Sequence, residues 1–166
     1  LYIVVLYIIY YICRMIDHTD KKILNELQLN ARITTKELAQ KLGLSTTPVF
    51  ERIKKLEKNG LIKDYVALVD AGKLNYNLTA FTQVRLDIHS KEMIQAFTEK
   101  ITSFEEVTEC YHTTGENDFL LKIVVSDMNE YYNFVMEQLT QTRDVAHVNT
   151  SFVLNELKHT TALILT

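Results

Sequence analysis

The most restrictive feature of the sequence is a pair of short helices separated by a glycine. A Thr-Thr-Lys-Glu run beginning at Thr34 has the form of a capping box, and the apolar residues after it recur with helical spacing. Gly43 then ends this helix in the manner of a left-handed C-cap. A second amphipathic run follows almost at once and stops at Asn59-Gly60. The pattern predicts two helices joined by a tight turn.

The chain's only proline lies at the start of the second helix. Pro48 fits the first turn of a helix, where a missing N–H is tolerated, and it disfavours helical geometry for Thr47. We therefore expect the N-cap to be Ser45 or Thr47, and the pattern does not choose between them. Another helix precedes the pair and opens near Asp17. After the pair, residues 61–70 have the pattern of a strand pair or short wing.

The second helix of the pair has a polar side suited to a nucleic-acid groove. Helix-turn-helix pairs present their second helix to the major groove of DNA, where its N-terminal residues face base edges. Hydroxyl groups, cations and the free N–H groups of the first turn meet phosphates. The candidate DNA-binding residues are Ser45, Thr46, Thr47, Glu51, Arg52, Lys54 and Lys55. On physical grounds alone, an ordinary solvated surface helix explains the same lysines.

Charge is distributed unevenly along the chain. The net charge is −3, but residues 15–64 carry ten basic and seven acidic side chains, and residues 65–166 carry seven basic and fourteen acidic ones. A basic front and an acidic back indicate that only the front meets a polyanion. The two cysteines, Cys13 and Cys110, form no disulfide framework and no metal-ligand spacing. We therefore expect a reduced, cytoplasmic setting and no metal.

An apolar run of twelve residues, containing only Leu, Tyr, Ile and Val, opens the chain. It is shorter than the roughly 20 residues of a membrane-spanning helix and lacks the features of a signal peptide. We interpret residues 1–14 as a non-native extension upstream of a start at Met15, and we expect no membrane partner. If the run is translated, it is expected to form an aggregation-prone strand or a membrane-adhesive tail.

The second half of the chain alternates between strand and helix patterns. Strands are predicted at 79–88, 105–114, 119–126, 145–154 and 159–165, and helices at 91–102 and 128–142, the latter after Asp127 as N-cap. This is the ferredoxin-like order, strand-helix-strand-strand-helix-strand, with one extra C-terminal strand. Two helices cover one face of such a sheet, and the other face stays open unless it pairs, so we expect self-association.

Several short sequence motifs in both halves of the chain occur together in one known family. They include ELAQKLGLS at 37–45, PVFERIKKLEKNGLI at 48–62, ECYHTTGENDFLLKI at 109–123 and KHTTAL at 158–163. Together they resemble the leucine-responsive/asparagine-synthesis regulator (Lrp/AsnC) family of bacteria and archaea. The resemblance implies an α+β protein with a winged helix-turn-helix at 15–64, a linker at 65–78, and a ferredoxin-like effector-binding and assembly domain at 79–166.

The resemblance also implies a function. Such proteins are sequence-specific DNA-binding regulators of transcription that respond to an amino acid, and they form homodimers and rings of dimers up to octamers. An enzyme is the alternative from another class, but the sequence contains no phosphate-binding loop and no nucleophile elbow. A sensing scaffold that has lost DNA binding would lack the lysines of the second helix. We therefore predict a regulator bound to double-stranded DNA, with no cofactor except the amino-acid effector.

The effector site is implied by a hairpin that lines the amino-acid pocket in the family, here Gly115-Glu116-Asn117-Asp118. A free amino acid has an ammonium group that pairs with a carboxylate, and a carboxylate that accepts from N–H donors. The matching residues are Thr114, Gly115, Asp118, Met128 and Ser151. The residues alone favour a simpler interpretation, because hairpin-turn chemistry explains both the glycine and the aspartate.

Overall fold

Three helices in the first part of the chain form a unit around their own apolar core. They are α1 (His18–Leu29), α2 (Thr35–Leu42) and α3 (Thr46–Lys58) in this computed structural model, which describes residues 16–142 and 145–166. The predictions made for residues 1–14 lie outside the described residues. The chain divides into two compact units, the first ending at Leu68 and including Lys158–Thr166, and the second formed by Val69–Leu157.

Side chains cap the first two helices. The carboxylate of Asp17 accepts from the N–H of Asp20, and the carboxylate of Asp20 accepts from the N–H of Asp17, which completes a capping box before α1. Thr34 and Glu37 form the same arrangement before α2. Gly43 ends α2 with φ of 65°, a left-handed conformation that glycine adopts without a steric penalty. The predicted start near Asp17, capping box and glycine C-cap are confirmed.

The third helix begins at Thr46, and Ser45 has the extended conformation of an N-cap. Of the two predicted N-caps, Ser45 is confirmed and Thr47 is wrong, since Thr47 is already helical. Pro48 occupies the third helical position, where its missing N–H would have had no intrahelical acceptor. The bias against helical geometry before a proline is a preference, and this first turn tolerates it.

The chain after α3 contains no strand between residues 61 and 70, so the predicted strand pair is wrong. The first N–H groups of this segment bind the C-terminal end of α3 instead. Those of Leu61 and Ile62 both donate to the carbonyl of Leu56, at 2.9 and 3.3 Å. The N–H of Tyr65 donates to the side chain of Asp64 at 2.7 Å. These groups are satisfied locally and are not available to a strand ladder.

The apolar faces of the three helices meet in one core. Its buried residues are Ile23, Leu24, Leu27, Leu38, Ala39, Val49 and Leu56. Burying each of the larger side chains is worth about 1.5–3 kcal/mol. Leu165 from the C-terminal segment also packs against this core. The orientation of α3 is therefore held by its contacts with α1 and α2 in this core.

The second unit is a four-stranded antiparallel sheet with two helices. Its elements are β1 (Leu78–Leu86), α4 (Lys91–Ile101), β2 (Val107–His112), β3 (Phe119–Val125), α5 (Met128–Asn133) and β4 (Val145–Phe152). The strands are ordered β2-β3-β1-β4 across the sheet, which is the ferredoxin-like arrangement. In register, β1 pairs Leu78 with Val125 of β3 and Ala80 with Phe152 of β4.

The two faces of the sheet differ in burial. Every second residue of β1 from Ala80 onward and of β3 is buried, and the apolar ones share a core with Phe97 and Ile101 of α4. The intervening residues of β1 are exposed, and among them the aromatic ring of Phe81 reaches solvent. This alternation leaves one face covered by helices and the other uncovered.

The second helix of this unit changes its winding. The sequence predicts one helix over 128–142, but α5 continues after Asn133 as a π-helical turn over Phe134–Leu139. The N–H of Thr140 donates five residues back, to the carbonyl of Val135, at 2.9 Å. Wider winding brings residues five apart toward the same side. Phe134 and Leu139 are accordingly both buried in the core.

The strand predicted at 159–165 is wrong. Residues 158–166 have no place in the sheet order and group with the first unit. The side chains of Asn25 and Gln28 on α1 bind the backbone of this segment. An apolar pattern of strand type indicates extended backbone but does not specify its hydrogen-bonding partners. An extended segment can pair equally with a sheet edge or with a row of amide side chains.

Candidate DNA-binding surface and effector site

The N-terminus of α3 differs from those of α1 and α2. Ser45 has the N-cap conformation, but its side chain makes no capping hydrogen bond. The first turn of α3 has no acidic residue, whereas those of α1 and α2 contain Asp20 and Glu37. Among the described residues, no capping side chain therefore neutralises the positive end of the α3 dipole or its free N–H groups. A helix end of this kind is suited to bind a phosphate.

Six of the seven predicted DNA-binding side chains lie on exposed positions of α3 or its N-cap. These six are Ser45, Thr46, Thr47, Glu51, Lys54 and Lys55. The Lys54 ammonium lies 3.0 Å from a carboxylate oxygen of Glu57 and 5.8 Å from the ring centre of Phe50. This ion pair lowers the pKa of Glu57. A surface pair of this kind is weak enough to exchange for a phosphate.

Arg52, the seventh predicted residue, is half-buried and pairs with the start of α1. Its Nη1 group donates to Asp17 at 2.6 Å and to Asp20 at 2.7 Å, so the guanidinium ties α3 to the start of α1. The hydrogen bonds that Arg52 donates, to Asp20 first and then to Asp17, raise its pKa. Asp20 is buried, and a buried carboxylate requires partners. No local sequence pattern marks Asp20 as a partner of Arg52, because the two residues lie 32 positions apart.

The predicted effector hairpin connects β2 and β3. The N–H of Thr113 donates to the carbonyl of Asp118 at 2.8 Å, and the Thr113 hydroxyl donates to the carbonyl of Asn117 at 3.0 Å. Gly115 has φ of 123°, which L side chains rarely adopt, and an added Cβ would meet open space. Thr114 and Gly115 are both exposed. The hairpin therefore presents backbone groups to solvent at one end of the sheet.

The side chain of Asp118 is held at the end of β1 and by the residues after it. Its Oδ2 accepts from the N–H of Leu86 at 2.8 Å and lies 3.1 Å from Nε2 of His89. The other carboxylate oxygen lies 3.0 Å from the same imidazole nitrogen. These contacts join the start of β3 to the end of β1, where the register of β1 with β4 shifts. No motif in the sequence around His89 indicates its contact with Asp118, which lies 29 positions away.

The remaining predicted effector residues lie elsewhere on the second unit. Met128 begins α5, directly after β3 ends opposite Leu78, whereas the hairpin contacts the other end of β1. Those two ends are separated by about 26 Å of strand, at roughly 3.3 Å per residue. Ser151 pairs in register with Phe81, an exposed residue of β1. Within one chain, the five predicted residues do not form a single pocket.

A depression lies elsewhere, between the end of α4 and the π-helical turn that follows α5. It has a volume of about 360 Å³ and is lined by Lys100, Phe104, Glu137, Gln138, Gln141 and Thr142. None of the predicted effector residues lines it. In the part of the chain that the structure describes, no group of three or more His, Cys, Asp or Glu side chains could hold a metal ion. None of the helices in the described ranges is long and apolar enough to cross a membrane.

Comparison with family models assigns both halves of the chain. Residues 16–63 match a model described as winged helix-turn-helix DNA-binding, and residues 79–163 match one described as the Lrp/AsnC ligand binding domain. These two ranges correspond to the helical unit and to the ferredoxin-like unit with part of the C-terminal segment. The two matches together define a DNA-binding protein with a separate ligand-binding domain.

Individual relatives agree with this assignment. The chain is 40% identical to the transcriptional regulator AzlB of Bacillus subtilis (strain 168), over 90% of this chain and 95% of that protein. It is also 40% identical to the leucine-responsive regulatory protein of Rhizobium meliloti (strain 1021), over 86% and 92%. Among solved structures, the L-Met complex of a transcriptional regulator from Neisseria meningitidis superposes with a TM-score of 0.86, at 38% identity, over 90% and 96%.

The class is therefore a two-domain transcriptional regulator and not an enzyme. The chain belongs to the Lrp/AsnC family. The predicted family, fold class and regulatory function are confirmed by these matches.

Proposed function

We propose that this regulator binds duplex DNA through the N-terminus of α3, using Ser45, Thr46 and Thr47 at the helix end and Lys54 and Lys55 along its exposed side. The observation that carries the proposal is the helix end itself. Its N–H groups and dipole are left without a capping side chain, while α1 and α2 each have a complete capping box. An end that is stabilised by a ligand phosphate has no need of an internal cap.

Arg52 contributes to DNA binding in a different way. Its ion pairs with Asp17 and Asp20 support a role in orienting α3 on α1, in place of a direct phosphate contact. Glu51 is exposed near the helix start and is an acceptor for base-edge amino groups in the major groove. The resulting interface combines a positioning arginine, phosphate-binding lysines and a small, polar helix end.

The effector of this regulator is an amino acid bound where chains meet. The support comes from two relatives: the Neisseria structure contains L-Met, and the Rhizobium relative is named leucine-responsive. The exposed backbone at Thr114 and Gly115 offers N–H donors to an effector carboxylate. Because Met128 and Ser151 lie far from this hairpin along the sheet, a pocket that uses all of them requires residues from a second chain.

Homodimers that pair through their uncovered sheet faces provide such a second chain. This face includes the exposed aromatic rings of Phe81 and Tyr111, which are 38% and 49% exposed in the single chain. Further assembly up to an octamer brings more hairpins into contact with neighbouring chains. We also propose a cytoplasmic location, because the DNA partner is there.

Fluorescence anisotropy on duplex DNA from the gene's own upstream region tests this function. We expect tight, salt-sensitive binding that shifts when a pool of amino acids is added, and splitting the pool then identifies the effector. Equal affinity for this duplex and a random duplex at moderate salt would contradict sequence-specific binding. Specific binding with no shift in the pool would contradict the amino-acid response.

A further inference from the structure

Two amide side chains of α1 hold the C-terminal segment. Nδ2 of Asn25 donates to the carbonyl of Leu165 at 2.9 Å, and the N–H of Leu165 donates to Oδ1 of Asn25 at 3.1 Å. Gln28 makes the same pair of hydrogen bonds with Leu163, at 2.9 and 2.7 Å. Each amide therefore satisfies both backbone polar groups of one residue, as a neighbouring antiparallel strand would do.

The spacing of the two amides matches an extended chain. Asn25 and Gln28 are three residues apart and share one face of α1. Leu163 and Leu165 are two apart, and alternate residues of an extended chain direct their N–H and carbonyl groups to the same side. Three residues of helix rise about 4.5 Å, and two extended residues span about 6.6 Å. The extra methylene of Gln28 helps to cover the difference.

Side-chain burial shows which residue anchors the segment. Leu165 packs against the core formed by α1, α2 and α3. By contrast, Leu163 is 72% exposed and Ile164 is 89% exposed. Lys21 also donates to the carbonyl of Thr166, so the surface of α1 contacts the backbone at three residues and accepts one apolar side chain. Backbone hydrogen bonds with a single apolar pocket are a recurring mode of peptide recognition.

We propose that Asn25 and Gln28 form a binding surface for extended polypeptide, and that the chain's own residues 163–165 occupy it to complete the DNA-binding unit. The proposal rests on the proposed function only in that it assigns DNA binding to the first unit. The chain leaves the unit after Leu68 and re-enters it at Lys158. Docking therefore adds a second connection between the DNA-binding unit and the ligand-binding unit, and undocking leaves only the linker.

Hydrogen exchange of the full chain tests this docking. Exchange is followed by mass spectrometry on peptides covering residues 158–166. In the wild-type protein we expect slow exchange at two amides, and in the Asn25→Ala/Gln28→Ala variant we expect both to exchange about tenfold faster. Alanine is the best helix former, so the substitutions do not weaken α1 by themselves. Gln40→Ala removes an exposed amide of α2 as the matched control, and exchange there stays slow.

Two results would overturn the proposal. One is exchange of these peptides at the unprotected rate in the wild-type protein. The other is slow exchange that persists in the double variant, because protection would then come from groups other than the two amides. The measurement contains no DNA, so loss of specific DNA binding would overturn the proposed function and leave the conclusion on docking intact.

Discussion

Arg52 of α3 and Asp20 of α1 form an ion pair at 2.7 Å, with the aspartate only 3% exposed. The same guanidinium nitrogen reaches Asp17, whose carboxylate caps α1. One cation thus fixes the relation between the helix proposed to read DNA and the first helix of the unit. This contact is therefore expected to affect the stability of the first unit directly, and DNA affinity only through the orientation of α3.

Replacing Arg52 with glutamine should destabilise the first unit. Asp20 would lose its cation while remaining buried, which costs about 1–3 kcal/mol after allowance for the partly exposed arginine. The measurement is the urea midpoint of unfolding. Arg32→Gln is the control, because Arg32 is exposed and its side chain makes no ion pair among the described residues.

A double variant separates the two possible roles of Arg52. If the arginine acts by neutralising Asp20, Asp20→Asn in the Arg52→Gln background should recover part of the lost stability, because neither partner is then charged. Unchanged stability in Arg52→Gln, together with weaker DNA binding, would instead assign Arg52 to the DNA contacts.

The stability of the first unit should depend on pH through the capping carboxylate of Asp17. The N–H of Asp20 first, and then Arg52, lower the pKa of Asp17 below its ordinary value of 3.8. A lowered folded-state pKa stabilises the folded form above the unfolded pKa, and this contribution is lost as pH falls through the folded pKa. The melting temperature should therefore decrease as the pH is lowered below about 4.

Asp17→Asn checks the assignment, because asparagine is an equally good N-cap and does not titrate. The variant should show a shallower fall in melting temperature below about pH 4 than the wild-type protein. Identical slopes for the two proteins would remove Asp17 from the groups that cause acid sensitivity. Glu37, Glu57 and Glu130 also have lowered pKa values, so some acid sensitivity remains in the variant.

Ser45→Asp should change stability and DNA affinity in opposite directions. An aspartate at this N-cap interacts with the unneutralised dipole of α3 and should stabilise the helix by about 0.3–1 kcal/mol. The same charge repels a phosphate at the helix end, and we expect operator affinity to fall about tenfold or more. Thermal unfolding and anisotropy measure the two effects.

Ser90→Asp adds the same charge at the N-cap of α4 in the second unit and serves as the control. Its operator affinity should equal that of the wild-type protein. Ser45→Asp with unchanged DNA affinity would show that the α3 end does not meet a phosphate.

Asp118→Asn should destabilise the second unit. Asp118 accepts from the N–H of Leu86, and both of its oxygens lie close to the imidazole of His89. Asparagine keeps only one acceptor oxygen, replaces the other by an NH₂ group and removes the negative charge beside the imidazole. We expect a loss of about 1–3 kcal/mol in the free energy of unfolding, measured without any amino acid present. Glu116→Gln is the control in the same hairpin, because Glu116 is exposed.

The response to effector separates two roles for Asp118. Loss of stability with a retained amino-acid response would make the carboxylate structural. Full stability with a lost response would make it a ligand for the ammonium group. Asp118→Ala is expected to leave the DNA affinity of the first unit unchanged in either case.

Local features of this fold could be predicted from the sequence, and distant pairings could not. The capping box at Thr34 and the C-cap at Gly43 depend on residues within a few positions of one another, so the pattern contains all the necessary information. Pairing of Arg52 with Asp20 joins residues 32 positions apart, and nothing in the spacing of either segment indicates it. The exposed arginine expected on α3 is therefore partly inside the fold.

The C-terminal segment illustrates the same limit. Its β-branched and apolar residues indicate extended backbone, but the hydrogen-bonding partners are side chains of α1 135 and 140 positions earlier. The effector residues could be predicted even less from local sequence patterns. The resemblance to a family supplied Met128 and Ser151, and within one chain they remain far from the hairpin at Gly115 along the sheet.

The salt dependence of operator binding shows whether α3 lies against DNA. Anisotropy titrations over a range of salt concentrations would compare the wild-type protein with Lys54→Gln/Lys55→Gln and with Lys91→Gln/Lys100→Gln, which removes two exposed cations from α4. If α3 lies against DNA, the first variant lowers the slope of log affinity against log salt by about 2, and the control leaves it unchanged. Equal slopes for all three proteins would contradict DNA binding through this face of α3.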